Sequence, residues 1–352
     1  MSKCAIYYNV DTMRKIRVAI NGLGRIGRAF LKIALERSEL EVVAVNDLGD
    51  LENLAYLLRY DSAYGHYAHP VTVKEKILVV NGHEVCACQE KEPARLPWHD
   101  LQIDVVVEST GFFISYDQAK AHLDAGARKV VVSAPVKGDP VPGIVGATVL
   151  MGINDSALAT CQISSNASCT TNSASSVIQI LLETIGIEKA ILNTVHGYTA
   201  TQKLVDSPDA RDFRRGRAAA VNIVPSTTGA AEAVTQAIPA LAGKFDGLAL
   251  RVPILTGSIA DITFIAKRMT TVEEVNKILT DASLTPRWRD IFTVTTEPLV
   301  SSDIIGSRHA SIADLGLTKV VGGNLVKVMA WYDNEVGYTH TLVQHVIKTG
   351  TI

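Results

Sequence analysis

The stretch that most constrains the fold is KIRVAINGLGRIGRAFLKIALER, residues 15–37. An apolar run at its start predicts a strand, and Gly22, Gly24 and Gly27 follow at the spacing G-x-G-x-x-G. Such glycines let the backbone turn sharply, approach a diphosphate closely and pack a helix on a strand. The helix start then offers free N–H groups and a positive dipole end to the phosphates. The helix itself is predicted by apolar residues at three- and four-residue spacing: Ile26, Phe30, Ile33 and Ala34.

A glycine motif alone is weak evidence for dinucleotide binding, because the same spacing can form a simple turn. The residues around it therefore have to be considered. A second strand-like run, EVVAVND, ends on Asp47, about 20 residues beyond Gly27, where a carboxylate binds the ribose hydroxyls of a dinucleotide. The same charge repels a 2′-phosphate, which favours NAD over NADP. The alternative is that Asp47 only forms a turn at the strand end.

Further strands alternate with helices along the first half of the chain. IDVVVEST leads into Thr110 and Gly111, the helical pattern SYDQAKAHLDAGA follows, and RKVVVSAP ends near Ser133. This alternation predicts a parallel, doubly wound sheet. Both the glycine turn and the Thr110–Gly111 turn follow strands, at the sheet edge where ligands bind in such folds.

Composition excludes several classes of protein. The 352 residues are 47% hydrophobic, which is enough for two globular domains, and the net charge of -2 gives no reason to expect nucleic acid or a membrane surface as partner. No apolar run approaches the roughly 20 residues of a membrane span, and the start lacks the apolar core of a secretory signal. The five cysteines are sparse and match no zinc spacing, so we expect no metal site and a reducing cytoplasm.

One cysteine stands out, Cys169 in ISSNASCTTNSAS. Its small polar neighbours suit neither a core cysteine nor a disulfide. An apolar stripe further along predicts a helix that begins close to Ser168, and a thiol at a helix N-terminus has a lowered pKa. We therefore predict that Cys169 is a nucleophile. The stripe consists of Val177, Ile180, Leu181, Thr184 and Ile185.

A nucleophilic thiol needs a base nearby, and His196 is the best-placed histidine. It closes the strand-like run KAILNTVH and precedes the hydroxyl-rich GYTATQK. The alternative is a hydrogen-bonded structural histidine.

Two further stretches suit phosphate groups. DARDFRRGR carries four arginines, and PSTTGAA places Thr228 and Gly229 at a predicted helix start, while Arg251 follows the strand DGLAL. The arginine run could also be a solvated, salt-bridged loop. It is a poor nucleic-acid patch, since Phe213 is its only aromatic residue.

Several of these stretches together resemble the phosphorylating glyceraldehyde-3-phosphate dehydrogenases. INGLGRIGR, SNASCTTN, HGYTATQK, RGRAAA with PSTTGAA, and WYDNEVGY stand in that family's order and spacing from Arg14 to the C-terminus. The resemblance implies a Rossmann NAD-binding domain and an α+β catalytic domain with a mainly antiparallel sheet. It also implies a cytoplasmic homotetramer that acts in glycolysis and gluconeogenesis.

The resemblance also suggests domain boundaries. The NAD-binding domain is expected at 14–167 and the catalytic domain at 168–333, with a C-terminal helix at 334–352 packing back on the first domain. Residues 1–13 have no counterpart, so they form an extension of unknown structure, and Met13 is an alternative start.

Site residues follow from the resemblance position by position. Cys169 matches the nucleophile and His196 the general base, while Thr199 and Arg251 match the site for the substrate's phosphate. The positions that match the site for inorganic phosphate are Ser168, Thr170, Arg215, Thr228 and Gly229. With the glycines and strand ends above, the expected NAD-binding set is Gly22, Gly24, Arg25, Ile26, Gly27, Asp47, Thr110, Gly111, Ser133 and Asn334.

The reaction implied is the oxidation of glyceraldehyde 3-phosphate to an acyl phosphate, through a hemithioacetal and a thioester on Cys169. Erythrose-4-phosphate dehydrogenase is the nearest alternative, which Tyr198–Thr199 and the STTG element disfavour. A non-catalytic NAD-binding protein is a second alternative, which the joint presence of thiol, base and phosphate sites disfavours. One departure from the family is Ser173, where a second cysteine is frequent.

Overall fold

The computed structural model describes residues 14–210 and 212–352, which form seven α-helices and eighteen strands. The helices are α1 Arg25–Ala34, α2 Leu51–Arg59, α3 Tyr116–Asp124, α4 Cys169–Thr184, α5 Ala230–Ala237, α6 Val272–Ser283 and α7 Val336–Thr351. The first strands are β1 Ile16–Asn21, β2 Leu40–Asn46, β3 Tyr60–Asp61, β4 Gly65–His66, β5 Val71–Lys74, β6 Ile77–Val80, β7 His83–Cys88, β8 Val105–Glu108, β9 Lys129–Val132, β10 Gly146–Thr148 and β11 Ile163–Ser165. The remaining strands are β12 Ile187–Gly197, β13 Val224–Thr227, β14 Phe245–Val252, β15 Ser258–Ala266, β16 Phe292–Thr295, β17 Ser311–Val321 and β18 Leu325–Tyr332.

The first half of the chain forms a nine-stranded sheet in the order β10-β11-β9-β8-β1-β2-β7-β6-β5. Every pairing from β10 through to β7 is parallel, and only β6 and β5 add antiparallel pairings at the edge. The parallel, doubly wound sheet predicted from the sequence is therefore confirmed. The carboxyl ends of β1, β2, β8 and β9 meet at one edge, and this edge carries Gly22, Asp47, Thr110 and Ser133.

The second half forms a seven-stranded sheet in the order β13-β14-β12-β15-β18-β17-β16. It is mainly antiparallel, with parallel pairings only between β12 and β14 and between β16 and β17. Helices α4, α5 and α6 contribute to its main hydrophobic core, in which Val177, Leu181, Val234, Leu279 and Phe264 are buried. This is the α+β arrangement expected from the sequence.

Helix α7 returns to the first sheet. Its Tyr338, Leu342 and Val346 are buried in the same core cluster as Ile20 of β1 and Phe30 of α1. The C-terminal helix was expected to pack in this way from residue 334, and its first helical residue is Val336.

Local boundaries agree with most sequence expectations. Helix α4 begins at Cys169, with Ser168 as its N-cap, and β12 closes on Gly197, one residue past His196. One expectation was wrong: Arg251 does not follow its strand but lies inside β14, because pairing with β12 continues through Val252.

Two features of the sequence analysis fall outside the described residues: the extension at 1–13, with Cys4, and Arg211 of the arginine run. Among the residues that are described, no helix combines the length and apolar character needed to cross a bilayer.

Candidate active site

The glycine turn after β1 is built for a close backbone approach. Gly22 has φ +98, and a Cβ there would lie 2.7 Å from the Thr110 nitrogen. A Cβ at Gly27 would lie 1.9 Å from the Gly22 carbonyl oxygen, so α1 packs against the turn with no room for a side chain. By contrast, a Cβ at Gly24 would meet no atom within 4 Å. Gly24 thus leaves free space beside the α1 N-terminus, whose unpaired N–H groups suit an anion.

Asp47 holds this turn in place. Its carboxylate accepts hydrogen bonds from the backbone N–H of Leu23 at 2.7 Å and of Gly49 at 2.8 Å. Each carboxylate oxygen has a second lone pair, so ribose hydroxyls can still bind. The turn-forming and ligand-binding interpretations of Asp47 are therefore compatible.

The side chain of Arg25 has a structural task that the sequence did not suggest. Its guanidinium pairs with Asp61, at 3.0 Å, and with Glu335 beside the α7 N-terminus. The backbone N–H groups of Arg25 and Ile26, in the first turn of α1, lack partners within the helix. These two N–H groups are therefore free to bind an anion such as a cofactor phosphate.

A buried polar group supports the Thr110–Gly111 turn. Glu108 accepts a hydrogen bond from the Thr110 N–H at 2.8 Å and lies 3.0 Å from Nε2 of His122. The Trp98 indole N–H donates to Nδ1 of His122 at 3.0 Å, so Nε2 carries the proton that Glu108 accepts. The Ser133 N–H donates to the Glu108 carbonyl oxygen, which fixes the next strand end. Sequence reasoning missed this group, since its members are scattered along the chain.

Cys169 and His196 come together as predicted. Sγ of Cys169, at the first position of α4, lies 3.3 Å from Nε2 of His196 near the end of β12. Cys169 is partly exposed, while His196 is only 3% exposed. The distance and the exposure suit a nucleophile with its base behind it.

The protonation state of this pair differs from the sequence expectation. Burial raises the pKa of the Cys169 thiol, and the charge of Arg251 and the Thr170 N–H only partly oppose it. Burial and then Arg251 lower the pKa of His196 to about 3. The lowered thiol pKa expected from the helix N-terminus was wrong for the ligand-free site, because removal from water outweighs the helix dipole. The pKa shifts of both groups therefore favour their uncharged forms.

Two groups compete for the other ring nitrogen of His196. Nδ1 lies 2.7 Å from the Gly197 carbonyl oxygen and 2.5 Å from Nη1 of Arg251. A carbonyl only accepts and a guanidinium only donates, so Nδ1 carries a proton in the first contact and a lone pair in the second. Only the first tautomer leaves Nε2 free to accept a proton, and the contact with Arg251, which also donates to the Gly197 carbonyl oxygen at 3.2 Å, favours the other one.

Tyr332 is a site residue that sequence reasoning missed. Its hydroxyl lies 2.9 Å from the Thr170 hydroxyl and 2.7 Å from that of Thr194, and its ring meets the His196 ring edge-on, with centroids 5.9 Å apart. Thr170 is only 4% exposed. The buried side chain of Thr170 thus has a fixed hydrogen-bond partner, Tyr332, whose ring packs against His196. The signal was at hand, because Tyr332 lies in WYDNEVGY.

The expected anion-binding residues lie at helix starts and on β14, and the structure gives the local contacts of most of them. Burial lowers the pKa of Arg251, and the charge of Arg215 adds to this effect, as expected of two cations that share one region. Thr228 accepts a hydrogen bond from the Ala230 N–H, beside the exposed Gly229 that caps α5. Ser168 caps α4 through the Thr171 N–H at 3.1 Å, and the Thr199 hydroxyl lies 3.0 Å from that of Thr201.

Asn334 is oriented for one kind of partner. It is 6% exposed, and its Oδ1 accepts hydrogen bonds from the hydroxyls of Ser258, at 2.9 Å, and Thr256, at 3.3 Å. The amide Nδ2 therefore has to bind an acceptor, such as a carboxamide oxygen. Within the described residues there is no group of three or more His, Cys, Asp or Glu side chains able to hold a metal ion.

Comparisons with known proteins match both halves of the chain. The NAD-binding domain model of the glyceraldehyde 3-phosphate dehydrogenases matches residues 16–116, and the C-terminal domain model matches 168–334. The glyceraldehyde-3-phosphate dehydrogenase of Clostridium acetobutylicum is 46% identical over 333 residues, which is 93% of this chain and 96% of that protein. That of Mycobacterium leprae is 46% identical over 343 residues, 95% and 98% of the two chains. Glyceraldehyde-3-phosphate dehydrogenase 1 of Kluyveromyces lactis is 44% identical over 335 residues, 94% and 99% of the two chains.

Proposed function

The chain belongs to the glyceraldehyde-3-phosphate dehydrogenase family, and from this premise we propose that Cys169 is the nucleophile and His196 the general base of an NAD-dependent oxidation. The substrate is D-glyceraldehyde 3-phosphate and the product 1,3-bisphosphoglycerate, a step of glycolysis and gluconeogenesis. The relatives' names do not favour erythrose 4-phosphate. The observation that carries the proposal is the 3.3 Å contact between Cys169 and His196 at the start of α4.

Chemistry at the thiol proceeds in two stages. Sγ of Cys169 attacks the aldehyde carbon, and the thiol proton moves to the former carbonyl oxygen, which becomes the hydroxyl of a hemithioacetal. His196 removes the hydroxyl proton at Nε2 as the hydride leaves, which gives a thioester; general base catalysis of this kind contributes on the order of 10²- to 10⁴-fold. An oxygen of inorganic phosphate then attacks the thioester carbon, the C–S bond breaks as the proton held on His196 returns to Sγ, and the acyl phosphate leaves while the Cys169 thiol is regenerated.

NAD supplies the hydride acceptor of this reaction. The residues proposed to hold it are those at the carboxyl edge of the first sheet, and the open space above Gly24 supports their fit. The Asp47 carboxylate would bind the adenosine ribose and disfavour a 2′-phosphate, and Asn334 would hold the nicotinamide carboxamide. Equal kcat/KM with NAD and NADP would contradict the role of Asp47. The full set is Gly22, Gly24, Arg25, Ile26, Gly27, Asp47, Thr110, Gly111, Ser133 and Asn334.

Arg251 links substrate binding to the base. We propose that Thr199 and Arg251 bind the phosphate of the aldehyde substrate. A guanidinium drawn toward this phosphate leaves Nδ1 of His196 to donate to the Gly197 carbonyl oxygen, and Nε2 is then free to accept a proton. The 2.5 Å and 2.7 Å contacts of Nδ1 support this sequence.

Inorganic phosphate is proposed to bind on the other side of the thiol. The residues are Ser168, Thr170, Arg215, Thr228 and Gly229, as expected from the sequence. Since the Thr170 hydroxyl contacts Tyr332, its contribution to phosphate binding requires it to exchange that partner.

Assembly, location and domain division are also part of the proposal. Ile191, Leu248 and Leu325 lie on the second sheet and are 55%, 43% and 43% exposed, which supports contact with further copies of this chain in a homotetramer. The four described cysteines are free, in keeping with a cytoplasmic location, and the net charge of -2 favours neither nucleic acid nor a membrane as partner. We propose residues 14–167 as the NAD-binding domain and 168–333 as the catalytic domain, with the C-terminal segment 334–352 packed on the NAD-binding domain.

The test is NADH formation from glyceraldehyde 3-phosphate and NAD, with and without inorganic phosphate. Wild-type protein should turn over only with phosphate present. Cys169→Ser should bind NAD but form no NADH, because a serine hydroxyl near neutral pH is far from ionised. Erythrose 4-phosphate is the control substrate. Turnover by Cys169→Ser, or a higher kcat/KM for erythrose 4-phosphate, would refute the assignment.

A further inference from the structure

Helix α7 contacts the turn that precedes the nucleophile Cys169. Ala167, two residues before Cys169, has φ +53, a left-handed conformation that a residue with a Cβ rarely adopts. Its carbonyl oxygen accepts a hydrogen bond from the Tyr338 hydroxyl of α7 at 3.1 Å. Ala167 is fully buried. Such a conformation persists only where neighbouring groups hold it, and α7 supplies one of them.

A buried chain of hydrogen bonds runs from the strand before this turn into α7. The Ser164 hydroxyl contacts Nε2 of His345 at 2.8 Å, and Nδ1 of His345 contacts Oδ1 of Asn166 at 3.0 Å. Nδ2 of Asn166 donates to the Thr341 hydroxyl at 3.3 Å, which donates to the Tyr338 carbonyl oxygen at 2.7 Å. All of these side chains are at most 3% exposed.

The proton positions in this chain follow from its far end. Because the Thr341 hydroxyl donates to a carbonyl, it accepts from Asn166, so the amide of Asn166 presents Oδ1 to His345. His345 then carries its proton on Nδ1, and Nε2 accepts from Ser164. Burial lowers the pKa of His345 to about 3, so the ring is neutral, as this arrangement requires.

Asn166 is also linked by hydrogen bonds to the start of the helix that carries the nucleophile. The backbone carbonyl oxygen of Asn166 accepts from Nδ2 of Asn172 at 2.8 Å, and the same Nδ2 donates to the backbone carbonyl oxygen of Ser168 at 3.0 Å. Asn172 is in the first turn of α4, which Cys169 opens. A shift of Asn166 therefore moves both the left-handed residue and the start of the helix that aims Sγ.

We propose that His345 is a positioning residue for the nucleophile, acting through the Nδ1–H bond to Asn166. The proposal rests on the role of Cys169 given under "Proposed function". It assigns to the C-terminal helix a part in aligning Sγ with the aldehyde carbon, although among the described residues no hydrogen bond of His196 involves α7.

Two substitutions separate the two ring nitrogens of His345. Asparagine places an amide N–H close to the position of Nδ1, so His345→Asn retains a donor to Asn166. Glutamine reaches the position of Nε2, so His345→Gln keeps the Ser164 contact and loses the donor to Asn166. Thr349→Val is the matched control: Thr349 lies one turn further along α7, is 2% exposed, and its hydroxyl has no hydrogen-bond partner among the described residues.

The readouts are kcat with saturating substrates, the rate constant for alkylation of Cys169 by iodoacetamide, and Kd for NAD. In His345→Gln, kcat and the alkylation rate should both fall about tenfold or more, since a misplaced reacting group costs up to about 10²-fold. KM for the aldehyde and Kd for NAD should stay at wild-type values. His345→Asn should recover most of both rates, and Thr349→Val should match wild type.

Equal losses in His345→Asn and His345→Gln would overturn the proposal, because they would indicate packing alone. Wild-type rates in His345→Gln would overturn it too. In that case the role of Cys169 is tested separately: an inactive Cys169→Ser protein would still support Cys169 as the nucleophile. If His345→Gln does not fold, Thr341→Val carries the test, because it removes the acceptor on the other side of Asn166. It should lower the alkylation rate and kcat together, and unchanged rates in a folded Thr341→Val would refute the mechanism.

Discussion

Gly27→Ala gives a direct test of how the cofactor edge is built. A helix normally gains up to about 1 kcal/mol from this change, since alanine is the better helix former. Here the new Cβ would lie 1.9 Å from the Gly22 carbonyl oxygen, whereas ordinary contact begins at 3.4 Å. Helix and turn would therefore have to separate by about 1.5 Å, and the neighbour is backbone, which cannot rotate away. Overpacking of this kind costs about 1–3 kcal/mol or more, so the clash should win.

We expect Gly27→Ala to lower the melting temperature by about 2–8 °C, from a net loss of about 1–2 kcal/mol at 2–4 °C per kcal/mol. NAD binding should weaken as well, because the α1 N-terminus moves. Gly24→Ala is the matched control in the same turn. Its Cβ meets no atom within 4 Å, so the melting temperature should change much less while NAD binding is lost to a clash with the diphosphate.

Differential scanning fluorimetry and NAD titration by calorimetry measure the two effects separately. A Gly27→Ala protein as stable as wild type would refute the packing argument. A Gly24→Ala protein with unchanged Kd for NAD would show that the diphosphate does not pass over this residue.

Three other outcomes are expected. Arg251→Gln removes a charge that lowers the pKa of both Cys169 and His196, so both pKa values should rise, which the pH profile of alkylation and imidazole NMR titration can measure. Thr228→Ala should raise KM for inorganic phosphate and spare KM for the aldehyde, because losing a hydrogen bond to a charged group costs about 1.5–3 kcal/mol; an unchanged phosphate KM would contradict the division of the two sites. Burial lowers the folded-state pKa of His345 to about 3, so between pH 3 and about 6.5 the unfolded chain binds more protons and stability is lost as pH falls. Chemical unfolding of His345→Leu against pH should show a less steep acid limb, and an identical limb would refute burial as the cause.

Features that depend on local pattern could be predicted from the sequence. The glycine spacing and the strand ends at Asp47 and Thr110 indicated the doubly wound sheet and its ligand edge, since strand, turn and helix signals are local. The apolar stripe beyond Ser168 placed the start of α4 correctly, and so placed Cys169 at a helix N-terminus. The pairing of Cys169 with His196 rested on the resemblance as well as on position.

Features that depend on contacts between residues far apart in the chain could not be predicted from the sequence. The Arg25–Glu335 pair joins residues 310 positions apart, and the His345–Asn166 bond joins residues 179 apart. Neither is signalled by residue type, because an arginine beside a glycine turn suggests phosphate binding and a histidine in a C-terminal helix suggests nothing specific. The raised thiol pKa of Cys169 was missed for the same reason: burial at this position is set by α7 and the second sheet, which a local pattern does not reveal.

The resting state of the pair follows from these long-range contacts. Burial raises the pKa of Cys169 and lowers that of His196, which favours the uncharged form of each, and an uncharged thiol reacts slowly with oxidants and alkylating agents. Arg251 acts in opposite senses on the pair, because its charge favours the thiolate and disfavours the imidazolium. A substrate phosphate bound to Arg251 offsets that charge, which raises the pKa of His196 and makes its Nε2 a better proton acceptor, while the pKa of Cys169 rises as well. In the proposed mechanism the phosphate of the aldehyde therefore does more than anchor the substrate: it turns on the base that the next step needs.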